Sequence, residues 1–142
     1  MSEPGSTIVF FDSHCLLCDR SVLWLVRLDP GKRLQFAPLG GETFEALKAQ
    51  GAAMEDFAAK RTVVLAHRAE EGEWRLSARS DAVIGALEAC GGAPKRLALL
   101  KLVPRPLRDL GYRFVAALRY RLFGTVEVCS IAGGEGREQL LP

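Results

Sequence analysis

The period of the apolar positions changes several times along the chain, and each change marks an element. Thr7–Phe11 (TIVFF) is a continuous β-branched and aromatic run and predicts a buried strand. The polar DSHC interrupts it. Cys15, Cys18, Val22 and Leu25 then recur at steps of three, four and three, one face of a helix. Asp29-Pro30-Gly31-Lys32 stops that helix with a turn. LQFAPL (Leu34–Leu39) predicts a second strand, and GGETFEALKAQG a short helix closed by Gly51. RTVVLAH (Arg61–His67) predicts a third strand, RAEEGE a hairpin turn and WRLSAR a fourth strand. SDAVIGALEACGG predicts a helix, with Ser80 or Asp81 as N-cap and Gly91-Gly92 as the stop. PKRLALLKLV and, past a Pro-Arg-Pro break, LRDLGYRFVAALRYRLFG predict two more helical segments. The tail from Thr125 is expected to be loose.

The order is therefore β-α-β-α-β-β-α with a helical C-terminal extension. The first β-α-β predicts parallel pairing through a right-handed crossover. The third and fourth strands predict an antiparallel hairpin. A mixed four-stranded sheet flanked by helices is an α/β architecture of the thioredoxin-like type. The expected organisation is one domain over 1–142. Its core spans about 7–92, a basic helical extension about 94–124, and a flexible tail 125–142.

Composition adds limits. Among 142 residues, 49% are hydrophobic, enough for a core and too many for a disordered chain. A net charge of +2 gives no reason to expect nucleic acid as partner. The charge is uneven, however. Lys95 to Arg121 holds eight Lys/Arg and one acid, a local +7, which leaves −5 on the remainder. The start, MSEPGST, lacks the cationic and apolar segments of a secretory signal, and no apolar run is long enough to span a bilayer. The expected compartment is the cytoplasm. There a close cysteine pair serves catalysis, redox sensing or metal binding more often than stapling.

Cys15 and Cys18 are such a pair, placed where a strand gives way to a helix. Helical spacing puts them about one turn apart on one face, within disulfide reach. A thiol at the helix start lies beside unpaired N–H groups and the positive end of the dipole, which favour the thiolate. Cys15 is thus the expected nucleophile. Cys18, one turn deeper and less accessible, is the expected resolving thiol. Asp12 ends the strand. Its carboxylate either bonds the N–H groups of the turn or accepts the proton of the resolving thiol. His14 is either an imidazolium that supports the thiolate or a solvent-exposed loop residue. A zinc site needs a second close ligand pair, which Cys90, Cys129, His14 and His67 do not supply.

DSHCLLC also resembles the D-x-x-C-x-x-C signature of the DCC family of predicted thiol-disulfide oxidoreductases. LQFAPL resembles that family's second strand and RSDAVIGAL its later strand-to-helix junction. LLKLVPRPLRDLGYRFVAALRYRLFG resembles its C-terminal helical region. The resemblance runs from about Ile8 to Gly124. It implies a thioredoxin-like fold, a redox-active dithiol, and Asp12, Cys15 and Cys18 as the functional residues, with Ser80 and Asp81 as weaker candidates; the exchange expected of the dithiol requires no cofactor beyond an external thiol donor.

Ser80 and Asp81 open a helix whose N-terminus suits an anion such as the carboxylate of glutathione, or else they cap it. Cys90 is expected to pack as a small residue. Cys129 is a candidate regulatory thiol. In the basic segment, Phe114, Val115, Leu118 and Leu122 form a helical stripe with Arg119 and Arg121 off it. The expected arrangement is a helix packed on its own domain with a solvated basic face. The other reading is docking to an acidic partner or an anionic membrane surface through Lys95–Arg121.

Together these observations point to a thiol-disulfide oxidoreductase acting on a protein or low-molecular-weight thiol or disulfide. A non-catalytic redox-sensing or partner-docking module is the alternative, and a metal-binding module is a weaker one.

Overall fold

The computed structural model describes residues 7–51, 62–90, 95–125 and 137–142. The strands are β1 (Thr7–Phe11), β2 (Leu34–Pro38), β3 (Val64–Arg68) and β4 (Trp74–Ala78). The helices are α1 (Leu16–Leu28), α2 (Glu42–Ala49), α3 (Arg79–Cys90) and α4 (Arg105–Leu122). Lys95–Leu102 and Arg137–Gln139 form 3₁₀ turns. The sheet runs β2-β1-β3-β4. β1 and β2 pair in parallel, with Val9 opposite Phe36; β1–β3 and β3–β4 are antiparallel. This is the expected mixed four-stranded α/β sheet.

β1 is the hinge of the packing. Alternate side chains of a strand point to opposite faces, and both faces are covered. Val9 and Phe11 pack with Val22 and Val26 of α1, with Ala82 and Ala86 of α3, and with both cysteines. Ile8 and Phe10 pack on the other side with Phe44 and Leu47 of α2, where Phe10 and Phe44 meet edge to face at 5.6 Å. A strand buried on both faces reads as an unbroken apolar run rather than an alternation, hence TIVFF.

Two expectations are corrected at the chain's later junctions. Ser80 and Asp81 do not cap α3. β4 passes into the helix at Arg79, which turns the chain in a left-handed conformation (φ 57°), so both residues lie inside the first turn. Of the tail expected to be loose, 126–136 lie outside the described residues, and 137–142 are bonded to the sheet. Gln139 is buried and donates through Nε2 to Asp29 Oδ2 at 2.9 Å and to the Leu34 carbonyl at 2.8 Å. The Leu141 N–H reaches the Phe36 carbonyl at 2.7 Å. Asp29 also accepts from the N–H groups of Arg33 and Leu34, so one buried carboxylate ties the end of α1, the start of β2 and the C-terminal turn together.

Candidate functional site

The site forms where β1 runs into α1. Phe11 is the last strand residue, and DSHC makes the turn that delivers Cys15 to the N-cap of α1. Cys15 keeps an extended backbone (φ −91°, ψ 122°), and its Sγ accepts the Cys18 N–H at 3.4 Å. The sulfur thus takes the place a serine or aspartate oxygen would hold at a helix start. An anionic sulfur gains there from both the orphan N–H and the dipole. Cys18 follows one turn on.

Accessibility runs opposite to expectation. Cys15 is 0% exposed and Cys18 is 7% exposed. The reason lies past the end of α4. The Leu16 N–H is bonded to the Gly124 carbonyl at 3.3 Å, and Thr125 bridges Cys15. That segment closes over the helix terminus. Cys18 instead lines a cavity of about 250 Å³ between α1, α3 and α4, with Trp24, Leu25, Tyr112, Val115 and Arg119 in its walls.

Asp12 is buried and serves several partners. Its Oδ1 accepts the His14 N–H at 3.0 Å, the Asx-turn contact expected of it. Its Oδ2 accepts from Arg119 Nη2 at 3.4 Å and from the Tyr120 hydroxyl. Arg119 Nη1 also lies 3.6 Å from Cys18 Sγ, and the guanidinium sits 5.1 Å from the Tyr120 ring centroid. One arginine therefore joins the carboxylate before the turn to the second thiol of the pair. The His14 side chain is exposed.

These contacts set opposing pulls on Cys18. Burial, together with the charge and hydrogen bond of Cys15, pushes its thiol up to about 12, while Arg119 pulls it down. For Arg119, burial works against the charge, but Cys18, Cys15, Tyr120 and Asp12 outweigh it and push its pKa up. Tyr112 is raised mainly by burial; its hydroxyl accepts the Val63 N–H at 3.0 Å.

Arg119 and Tyr120 lie more than a hundred residues from Asp12, and sequence reasoning placed Arg119 only as a charge off an apolar stripe. The usable signal was an Arg-Tyr pair on the face opposite that stripe. Ser80 and Asp81 are not brought to the cysteines. The Ser80 hydroxyl donates to Asp109, and Asp81 pairs with Arg105 at 2.9 Å and Arg108 at 3.1 Å, which fastens α4 onto α3. Cys90 is buried and donates to the Leu87 carbonyl at 3.0 Å. Cys129 lies outside the described residues. Among the described residues, no three His, Cys, Asp or Glu side chains converge as metal ligands.

The chain is 28% identical over 136 residues, 95% of its length and 93% of the relative's, to a Bacillus subtilis (strain 168) protein named Uncharacterized protein YuxK. No solved structure gives a significant match. The family described as DCC1-like thiol-disulfide oxidoreductase matches residues 9–125, from the middle of β1 to the segment that closes over Cys15. The chain belongs to the DCC1-like thiol-disulfide oxidoreductase family.

Proposed function

We propose that the protein exchanges thiols and disulfides through Cys15 and Cys18, with Cys15 as nucleophile. The observation that carries the proposal is the Cys15 sulfur at the N-cap of α1, bonded to the Cys18 N–H at 3.4 Å. This is the position in which a helix start favours a thiolate. The Cys15 thiolate attacks one sulfur of a substrate disulfide, forms a mixed disulfide and releases one substrate thiolate. Cys18 loses its proton, attacks Cys15 Sγ and releases the second substrate thiolate. The protein dithiol becomes a disulfide, the substrate becomes two thiols, and the two cysteine protons end on them. An external thiol returns the protein to the dithiol, so no bound cofactor enters.

Asp12 holds the turn, and it lies on Arg119 beside Cys18 as an acceptor for that proton. The apolar Leu16-Leu17 pair between the cysteines favours a reducing potential. A dithiol of that kind fits the cytoplasm, where exchange rather than stapling is the common use of a cysteine pair.

A second reading has one observation behind it. Full burial of Cys15 suits a redox sensor without turnover. The two separate in one assay series. Catalysis predicts turnover of a low-molecular-weight disulfide, its loss in Cys15→Ser and a trapped mixed disulfide in Cys18→Ser. A dithiol that oxidises once without turnover leaves the sensor.

A further inference from the structure

α4 is turned inside out. Its polar and aromatic residues, Tyr112, Arg119 and Tyr120, face the domain and hold Val63, Cys18 and Asp12. Its apolar residues Leu107, Leu110, Phe114 and Leu122 face outward; Phe114 is 67% and Leu122 69% exposed. Leu99 and Leu102 of the preceding 3₁₀ segment, and Val103 just after it, continue the exposed stretch. A stripe of this length and this apolar character on a free surface marks an interaction site.

Charge decides what covers it. Arg113 and Arg121 flank the stripe and are exposed, and the one acid of α4, Asp109, is engaged with Ser80 on the inner side. In a two-fold pair of copies the same patch meets itself. Arg113, next to the middle of the stripe, would then face its own counterpart, and among the described residues of α4 no acid stands on that face to offset it. An anionic bilayer surface meets both halves of the pattern. Its acyl boundary takes the leucines and Phe114, its headgroups take the guanidinium groups, and arginine stems reach outward along the apolar surface. Among the described residues no helix is long and apolar enough to cross a membrane, so this is contact from one side. Trp24 and Val115 are half-exposed and also line the cavity at Cys18, so the docked face adjoins the mouth of that cavity.

We infer that the outward face of α4 docks on an anionic lipid surface. The inference rests on the helix face and its charges and does not depend on the thiol chemistry. The test is co-sedimentation of the full chain with vesicles of phosphatidylcholine alone or mixed with phosphatidylglycerol. Binding is expected to the mixed vesicles only and to weaken with salt. The doubly substituted Arg113→Glu, Arg121→Glu chain should bind roughly thirtyfold more weakly or worse, at about 1 kcal/mol for each cation lost near such a surface. Phe114→Glu should lose binding with unchanged circular dichroism. Absence of binding to mixed vesicles overturns the inference. So does equal binding to both vesicle types, or binding indifferent to Phe114. A concentration-dependent dimer that Phe114→Glu dissociates assigns the face to a second copy instead.

Discussion

Asp12 has the structural role read from its place at the strand end, since it takes the His14 N–H. It also has a role that its local sequence does not contain, as the anion beneath Arg119 and Tyr120. In the proposed exchange Arg119 is the positioning residue of the pair. Its charge favours the Cys18 thiolate, set against burial, Cys15 and Asp12. Replacing it with leucine should push the Cys18 thiol higher still and slow the second exchange step. In a quenched reaction followed by mass spectrometry, the Cys15 mixed disulfide should accumulate in Arg119→Leu and less so in Arg119→Lys. Equal amounts in wild type and Arg119→Leu would remove the positioning role. The same change leaves the Asp12 carboxylate buried without its cation, a loss of about 3–5 kcal/mol for a broken buried pair. Tyr120→Phe should cost about 1–3 kcal/mol through the hydrogen bond lost to Asp12, read from urea unfolding.

At the scale of elements, two tertiary contacts override the local reading. The C-terminal turn is short and would not hold alone, yet Gln139 satisfies two buried acceptors, Asp29 and the Leu34 carbonyl. Gln139→Leu keeps the volume and takes one hydrogen bond from each acceptor. It should lower stability by about 1–3 kcal/mol, measured as a shift of the urea midpoint, whereas an exposed neighbour such as Glu138→Gln should shift it little. α4 is the second case. Amphipathic spacing tells which residues share a face but not which face turns inward. The usual rule sends the apolar face to the core. Here the inner position faces Asp12, Cys18 and the Val63 N–H, buried polar groups that require partners, and Arg119, Tyr120 and Tyr112 supply them. Burying those polar groups unpaired would cost more than leaving leucines in water.

For the molecule as a whole, the buried thiol is a proton-linked stability element. The folded Cys18 thiol, at about 12 against 9.0 for the free group, keeps a proton that the unfolded chain loses between those values. This contribution to stability is therefore fully present below pH 9.0 and is lost as pH rises toward 12; Tyr112, raised by burial, acts in the same direction. The urea midpoint should fall across that window more steeply in wild type than in Cys18→Ala, and parallel slopes would contradict the assignment. By itself the sequence determined the sheet and the turn that carries the cysteines. TIVFF, LQFAP and the hairpin strands declare themselves by composition and period, and Cys15 at a strand-to-helix change is a local geometry. Helix phase and turn residues act over a few positions, so they are legible there. Tertiary structure alone decided which thiol is covered, what sits beside Cys18 and which way α4 faces. Each of these depends on a segment about a hundred residues from the cysteines, and only folding brings Arg119, Tyr120 and Gly124–Thr125 onto the start of α1.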